Sequence, residues 1–393
     1  MMVDFFNNQE TKTAPETNSK IISWSRGLKN LLQRDIKLKF KEDSIREILY
    51  RPFTKQFGYC SRQLNEYVYQ LPSLYPSPYK TTHPDQNPTR TNLVICTNGI
   101  GDTNDFSCII TDCIPDLHVC GSSQCFPLYY YTEATPPAQP SLFGEADGRD
   151  SMERHSALSP WAVAEARERY GAGVTDEDVF FMVYGALHSP AWRARFADDL
   201  RKALPRLEWP GSRERFRSLA EAGRCLARLH LLSETDAELN AELEAELSRA
   251  GVKVEGDAAA AESGLLARVA DSPEARARYR VEKMRFERRG DRGAIIVNDR
   301  IAVRGIPAEA YDYVVNGKSA IEWVMERMAV SQDKKSLIVN DPNLWAAEHS
   351  DPRFIVRHLL RVVAMSCLSA RCVAGIDGAS PEADGGSDGA TDV

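Results

Sequence analysis

Four cysteines in one short stretch, Cys108, Cys113, Cys120 and Cys125, surround His118 and raise the question of zinc. Their spacing is C-x4-C-x6-C-x4-C. Structural zinc sites usually present ligands as tight C-x2-4-C knuckles on turns. Here the cysteines fall in or beside runs that read as strands, where small apolar thiols pack well, so buried thiols are preferred to a metal. Gly99-Ile100-Gly101 follows an apolar run and invites a nucleotide loop. A dinucleotide fingerprint needs a third glycine and a helix start. Asp102-Thr103-Asn104-Asp105 follows instead and reads as a polar turn. Asp333-Lys334-Lys335 has the acid and lysine of a nuclease half-motif, but metal-dependent cleavage needs clustered carboxylates and no acidic partner precedes it, so it reads as a solvated turn. There is no P-loop, no H-E-x-x-H and no G-x-S-x-G. The Pro-Pro of Thr135-Pro136-Pro137-Ala138 does not match the Asn/Asp-Pro-Pro-aromatic grip of amino-methyltransferases. No catalytic, cofactor-binding or metal-binding residue is assigned, and whether the chain is an enzyme stays open.

Binding chemistry is better represented. Residues 50–72, YRPFTKQFGYCSRQLNEYVYQLP, set Arg51, Lys55 and Arg62 among Tyr50, Phe53, Phe57, Tyr59, Tyr67 and Tyr69. Cations and rings together suit a surface that meets phosphates and stacked bases. The plainer alternative is a half-buried strand and turn whose rings are core. From 20 to 62 there are eleven Lys and Arg against four Asp and Glu, although the whole chain of 393 residues has a net charge of −7. The chain is therefore not a globally basic nucleic-acid binder, but it holds a basic region.

The elements that would position these residues follow from periodicity and breakers. Residues 1–19 are polar and predicted to be disordered. Residues 20–50 read as helical, with Leu28, Leu31, Leu32, Ile36, Leu38, Ile45, Ile48 and Leu49 recurring every three to four positions, and Pro52 ending the pattern. An exposed loop rich in Pro, Ser and Asn spans 72–92 and contains Arg90. Short strands are predicted at 93–96, 107–111, 117–120 and 125–131. A break at 136–150 is the best domain boundary. Before 136 there are eight Lys and six Arg; after it, six Lys and twenty-nine Arg.

The second unit, 151–374, begins with helices predicted at 160–170 and 176–187 and a third capped by Ser189, with Trp192, Phe196 and Leu200 on one stripe. Ser218-Leu219-Ala220-Glu221 reads as a capping box opening a helix through Leu232. Residues 234–270 read as an exposed helical insertion. Period two then predicts an antiparallel meander at 282–288, 294–297 and 301–304. Ser319-Ala320-Ile321-Glu322 is a second capping box, 336–339 a strand, and Asp351-Pro352 the start of a last helix running to about Cys372. Residues 375–393 hold five acids and no bases and are predicted to be disordered. The fold class is α+β, a mixed β-rich N-terminal unit (20–135) followed by a mainly helical unit with a small antiparallel sheet.

Nine cysteines without a signal-peptide pattern fit reduced thiols and a cytoplasmic protein. No uninterrupted apolar run approaches the roughly 18 residues needed to span a bilayer, so no membrane is expected.

Several stretches, in order, carry a resemblance. They are residues 50–72 above, NLVICTNGIG (92–101), TDCIPDLHVCGSSQCFPLYYY (111–131), DVFFMVYGALHSPAWRARFADDLRKALPRL (178–207), LAEAGRCLARLHL (219–231), EKMRF (282–286), NDRIAVRGIPAEAYDYVVNGKSAIEWVMERM (298–328) and IVNDPN (338–343). Together they resemble the C-terminal specificity region of type ISP restriction-modification enzymes, over about residues 45–372. That family joins a nuclease, a helicase-like ATPase, a coupler, an adenine-N6 methyltransferase and a target-recognition domain in one polypeptide. Methylation protects host DNA, and unmodified sites trigger ATP-driven translocation and cleavage. This chain resembles the last part alone. S-adenosylmethionine, ATP and Mg are implied only for the domains this chain lacks.

The resemblance implies sequence-specific recognition of double-stranded DNA. Lys and Arg would neutralise phosphates while loop side chains read base edges. Arg51, Lys55, Arg62 and Arg90 are the candidate basic surface, with Lys318 beside the Asn316-Gly317 turn as a further one. Base-reading residues vary with the recognised site and do not carry over. The second reading is a structural or interaction fragment that binds DNA only when docked on a separate methyltransferase–helicase polypeptide. The recognised sequence, the oligomeric state and whether the chain works alone are not set by the sequence.

Overall fold

The structure, a computed structural model, describes residues 2–9, 22, 24–61, 63–65, 68–76, 92–133, 152–334 and 337–378. It is α+β, with several small sheets among helices.

The chain begins with helices Met2–Asn7 and Arg26–Gln33, the latter capped by the Ser25 hydroxyl accepting from the Leu28 amide. Phe6, Ile22, Leu28, Leu32 and Leu38 close a small core of their own. The helix at 2–7 corrects the expectation of disorder for 1–19 in its first residues: Phe6 is fully buried. Residues 10–19 lie outside the described residues. The helix expected over 20–50 ends at Gln33, and Asp35 takes a positive φ of 59°. The chain then becomes extended, and Ile45–Arg51 is a strand paired antiparallel with Thr54–Tyr59. The apolar spacing fitted a helix, but β-branched Ile45 and Ile48 are used in cross-strand pairing, Ile45 opposite Tyr59. Ile114–Pro115 adds a parallel edge to the same hairpin.

Strand Val94–Thr97 lies between Cys108–Thr111 and Gln124–Pro127, antiparallel to both. Successive side chains of a strand point to opposite faces. Val94 and Cys96 enter one core with Leu49, Phe53, Leu243, Val303 and Leu359, while Ile95 enters a second with Ile110, Leu128, Tyr184 and Leu226. Both cores take residues from before 136 and after 150. Strands Tyr129–Glu133 and Met152–Ser156 also pair with each other across that interval, Glu133 opposite Met152. Residues 134–151 themselves lie outside the described residues. No strand forms at 117–120: the only strand pairing between the second and third cysteines is Ile114–Pro115, and the chain turns before Gln124.

Helices Pro160–Tyr170 and Asp176–Ala186 form where expected, the second with a full capping box between Thr175 and Asp178. The helix after Ser189 is shorter than expected, Pro190–Arg195, and a separate turn, Ala197–Leu200, follows. The next helix, Arg213–Leu231, is capped by Ser212 rather than Ser218, which lies within it. Helix Ala237–Arg249 is not an exposed insertion: Leu239, Leu243 and Leu247 are fully buried. Strand Lys253–Glu255 completes the sheet of Arg285–Arg288, Asp291–Ile296 and Ala302–Arg304 by pairing with the last. The capping box of Ser319 and Glu322 opens Ala320–Arg327 as expected.

The strand expected at 336–339 is only Val339–Asn340, paired with Ser331–Gln332. Helix Phe354–Gly378 runs past Cys372 and the predicted start of a disordered tail; 379–393 lie outside the described residues. Among the described residues it is the one helix long and apolar enough to cross a membrane. Its Val356, Leu359, Leu360, Val362 and Val363 sit in the first core, and Arg357, Arg361 and Arg371 interrupt its apolar pattern.

Candidate nucleic-acid interface

The hairpin Ile45–Arg51/Thr54–Tyr59 turns through Pro52 and Phe53, the latter at a φ of 56°. Two named cations flank this turn. Arg51 Nη1 donates to Asp116 Oδ1 at 2.6 Å, and its guanidinium lies 4.2 Å from the Tyr50 ring centroid. Lys55 Nζ sits 2.9 Å from Glu47 Oε1 and 3.3 Å from Asp112 Oδ1. Burial pulls the Lys55 ammonium down, but Asp112, Cys113 and Glu47 outweigh it and hold its pKa above the ordinary lysine value.

Lys318 follows the tight Val314–Val315/Lys318–Ser319 turn, bonds to Glu326 and lies 4.8 Å over the Trp323 ring. Burial pushes Glu326 up, yet Lys318, Arg327 and Arg51 keep it below its usual value. Glu326 thus takes both Lys318 and Arg327 as ion-pair partners. Arg51, Lys55 and Lys318 each already have an acidic partner. Arg62 and Arg90 lie outside the described residues.

The rings of this stretch divide between core and surface. Phe53 is core and meets Tyr313 edge-on at 6.0 Å. Phe57 stays 44% exposed, 4.8 Å from Trp345 and 6.0 Å from His349. Gln56 Nε2 donates to Asn340 Oδ1 at 3.1 Å, tying the hairpin to the chain just before the Pro342–Glu348 helix. A cavity of about 410 Å³, with Glu47, Lys55, Asp112, Trp345 and His349 on its walls, opens beside them. Tyr59 stacks on Phe40 at 5.5 Å, Tyr69 is largely exposed, and Tyr67 lies outside the described residues.

The cysteines do not converge. Cys108 packs on His188, 3.6 Å from both ring nitrogens, and receives the Arg193 Nη2 proton at 3.4 Å. Cys113 and Cys120 are in the other core, and Cys125 faces Cys96 across the sheet, Sγ to Sγ 3.8 Å. Burial raises the Cys108, Cys113 and Cys120 thiols, Cys113 to about 12. His118 Nδ1 is engaged by Gly121 O at 3.1 Å. Among the described residues no group of three or more His, Cys, Asp and Glu is arranged to hold a metal ion.

Gly99-Ile100-Gly101 is a strut rather than a phosphate cradle. A Cβ at Gly99 would meet Ser122 O at 2.3 Å, and the Gly101 amide donates to Arg201 O. Beyond it, Asn104 Nδ2 donates to Asn316 Oδ1 at 2.9 Å and the Asn316 amide to Ser107 Oγ at 2.8 Å, so this loop supports the turn before Lys318. Asp333 anchors a turn, its amide donating to Ile338 O and its carbonyl accepting from Leu337; Lys335 lies outside the described residues.

Positive charge without acidic partners lies elsewhere, just N-terminal to the hairpin. Charge counting had marked this region but not its residues, because a count cannot tell paired cations from free ones.

The family model for the type ISP C-terminal specificity domain matches residues 1–358. Three solved structures are similar over nearly the whole chain. A nuclease-deletion mutant of the type ISP restriction-modification enzyme LlaGI in complex with a DNA substrate mimic is 28% identical, with a TM-score of 0.69, over 95% of this chain and 25% of that one. The ATP-dependent type ISP enzyme LlaBIII bound to DNA is 27% identical with a TM-score of 0.74, over 98% of this chain and 21% of that one. A cryoEM structure of a DrdV–DNA complex is 25% identical with a TM-score of 0.67, over 97% of this chain and 33% of that one. Comparison with curated proteins gives no match. The chain thus spans a fifth to a third of the length of these structures.

Proposed function

The chain belongs to the type ISP C-terminal specificity domain family, and we propose that it selects the duplex DNA sequence on which a type ISP restriction-modification system acts. Family membership supports DNA target recognition. The observation that carries the proposal is a likeness spanning 98% of the chain, at a TM-score of 0.74, to an enzyme bound to DNA. Recognition would direct adenine-N6 methylation and ATP-dependent cleavage performed by other domains. S-adenosylmethionine, ATP and Mg would serve those domains.

Phosphates would set the register, and side chains on loops would read bases at about 1–3 kcal/mol per good bidentate contact. Arg51, Lys55 and Lys318 enter this reading as cations that would exchange a carboxylate for a phosphate. That pairing also favours the second reading, in which the chain binds DNA only when docked beside a methyltransferase–helicase polypeptide of the same system. Selection from a randomised duplex pool, with the chain alone and with such a polypeptide added, tests both. Enrichment of one sequence by the chain alone supports the first reading, and enrichment only in the mixture supports the second. No enrichment in either arm removes target recognition.

A further inference from the structure

The segment before the hairpin carries a run of unbalanced positive charge. Arg26, Lys29, Arg34, Lys37, Lys39 and Lys41 are all exposed, and none makes an ion pair with a carboxylate among the described residues. Asp35 is the one acid between 26 and 41, so these sixteen residues carry +5 in a chain of −7. Several arginines elsewhere are matched by acids: Arg228 with Asp236 and Glu242, Arg304 with Glu255 and Glu287, Arg371 with Glu246.

The lysines are also held in place. Leu38 is buried between exposed Lys37 and Lys39, and the Asn7 side chain brackets it, Oδ1 accepting from the Leu38 amide at 2.8 Å and Nδ2 donating to its carbonyl at 2.9 Å. Lys37 Nζ donates to Asn7 O at 2.5 Å, a neutral partner that leaves its charge unbalanced. On the other side the Tyr59 hydroxyl accepts from the Lys41 amide at 2.9 Å and donates to Lys39 O at 3.5 Å. The Tyr59 ring stacks on Phe40, which remains 61% exposed. Cations carried on an anchored backbone lose less freedom on binding than cations on a loose tail.

We propose that Lys37, Lys39 and Lys41, with Arg26, Lys29 and Arg34 of the adjoining helix, form the surface that docks on the phosphate backbone of duplex DNA, and that Tyr59 positions it. This rests on the DNA-recognition reading. It assigns sequence-independent affinity to this segment and leaves base selection to other residues.

The test is equilibrium binding of the full chain to a random-sequence duplex across a salt series, comparing wild type with the triple variant Lys37→Gln, Lys39→Gln, Lys41→Gln. Each neutralised phosphate contributes about 0.9 to the slope of log affinity against log salt, so the triple variant should lose about 2.7 from that slope. Lys39 makes no side-chain bond among the described residues, so Lys39→Glu serves as a variant that does not perturb the fold, and it should lose at least 0.9 on the same basis. Tyr59→Phe removes the hydroxyl but no charge. It should weaken binding several-fold with the salt slope kept, which a merely structural role for Tyr59 would not do without lowering the melting temperature. If wild type shows a salt-dependent slope and neither lysine variant changes it, this surface is wrong while DNA recognition stands. If wild type binds no duplex even at low salt, both are wrong.

Discussion

Arg353 and Asp257 form an ion pair at 2.6 Å with both side chains wholly shielded from solvent. Asp257 Oδ1 also accepts from the Tyr279 hydroxyl at 2.7 Å and the Ala259 amide at 3.1 Å, and Arg353 Nη1 donates to Leu265 O and Ala267 O. The pair therefore anchors the segment around 257–267 to the start of the Phe354–Gly378 helix.

Removing one partner of a buried pair leaves an uncompensated charge, so Asp257→Ala should cost about 3–5 kcal/mol in urea unfolding. Leu243→Ala, in the helix just before, should cost about 2–5 kcal/mol by leaving a cavity in the core. Deleting 234–270 should abolish soluble expression. A folded deletion variant of wild-type stability would show this segment to be dispensable.

The Asp176–Ala186 and Arg213–Leu231 helices cross where glycines let the backbones touch. A Cβ on Gly223 would stand 1.8 Å from Phe181 O, and one on Gly185 2.2 Å from Leu219 O. Backbone cannot yield as a side-chain tip can, so Gly223→Ala should lower the melting temperature by many degrees. Gly173→Ala, with nothing within 4 Å of the added atom, should leave it unchanged. Equal melting of the two variants would refute the close crossing.

Stability should fall on mild acidification. Burial lowers His188 to about 3, with Arg193 adding to it, and lowers His358 to about 4. Burial, with His188 and Arg193, lowers His230 well below its ordinary value. Their folded pKa values lie below the unfolded value near 6.5, so their stabilisation is complete above about pH 6.5 and declines as the unfolded chain takes up protons below it. Each contributes a slope of up to about 1.4 kcal/mol per pH unit. Glu246, held by Arg249 and Arg371 at about 2 despite burial, stays ionised across pH 6.5 to 5. Urea unfolding at pH 7, 6 and 5 reads this directly, and His188→Gln with His230→Gln should flatten the profile.

Arg51 and Lys55 are balanced by Asp116, Glu47 and Asp112. Arg51→Ala with Lys55→Ala should weaken binding to all duplexes alike but reduce the salt slope by less than the three-lysine variant. Both pairs are half-buried, so the melting temperature of the double variant is read beside its binding, and a folded variant is expected. A larger slope change than that of the lysine variant would move the main phosphate contacts to the hairpin.

Local rules were readable where a few neighbouring residues suffice. The capping boxes at Thr175 and Ser319 hold because cap and acceptor are three residues apart. Val94–Thr97 was legible as a buried strand from its apolar run, and the meander of 285–304 from period two. The family was legible in eight ordered stretches.

What the sequence could not decide was pairing over distance. Ile45 and Ile48 fit a helix as well as a strand until the Thr54–Tyr59 strand is laid beside them. An Ala- and Glu-rich helix looks exposed until Leu239, Leu243 and Leu247 meet the core. Nor does the sequence of 50–72 show which acids its cations meet: Arg51 pairs with Asp116, and Lys55 with Glu47 and Asp112. Charge is additive along a sequence, but its balance depends on which carboxylate lies within about 4 Å, and only the folded chain sets those distances. It brings Asp116 to Arg51 and Asp112 to Lys55, and leaves Lys37, Lys39 and Lys41 with no acid among the described residues, their backbone held by Asn7 and Tyr59.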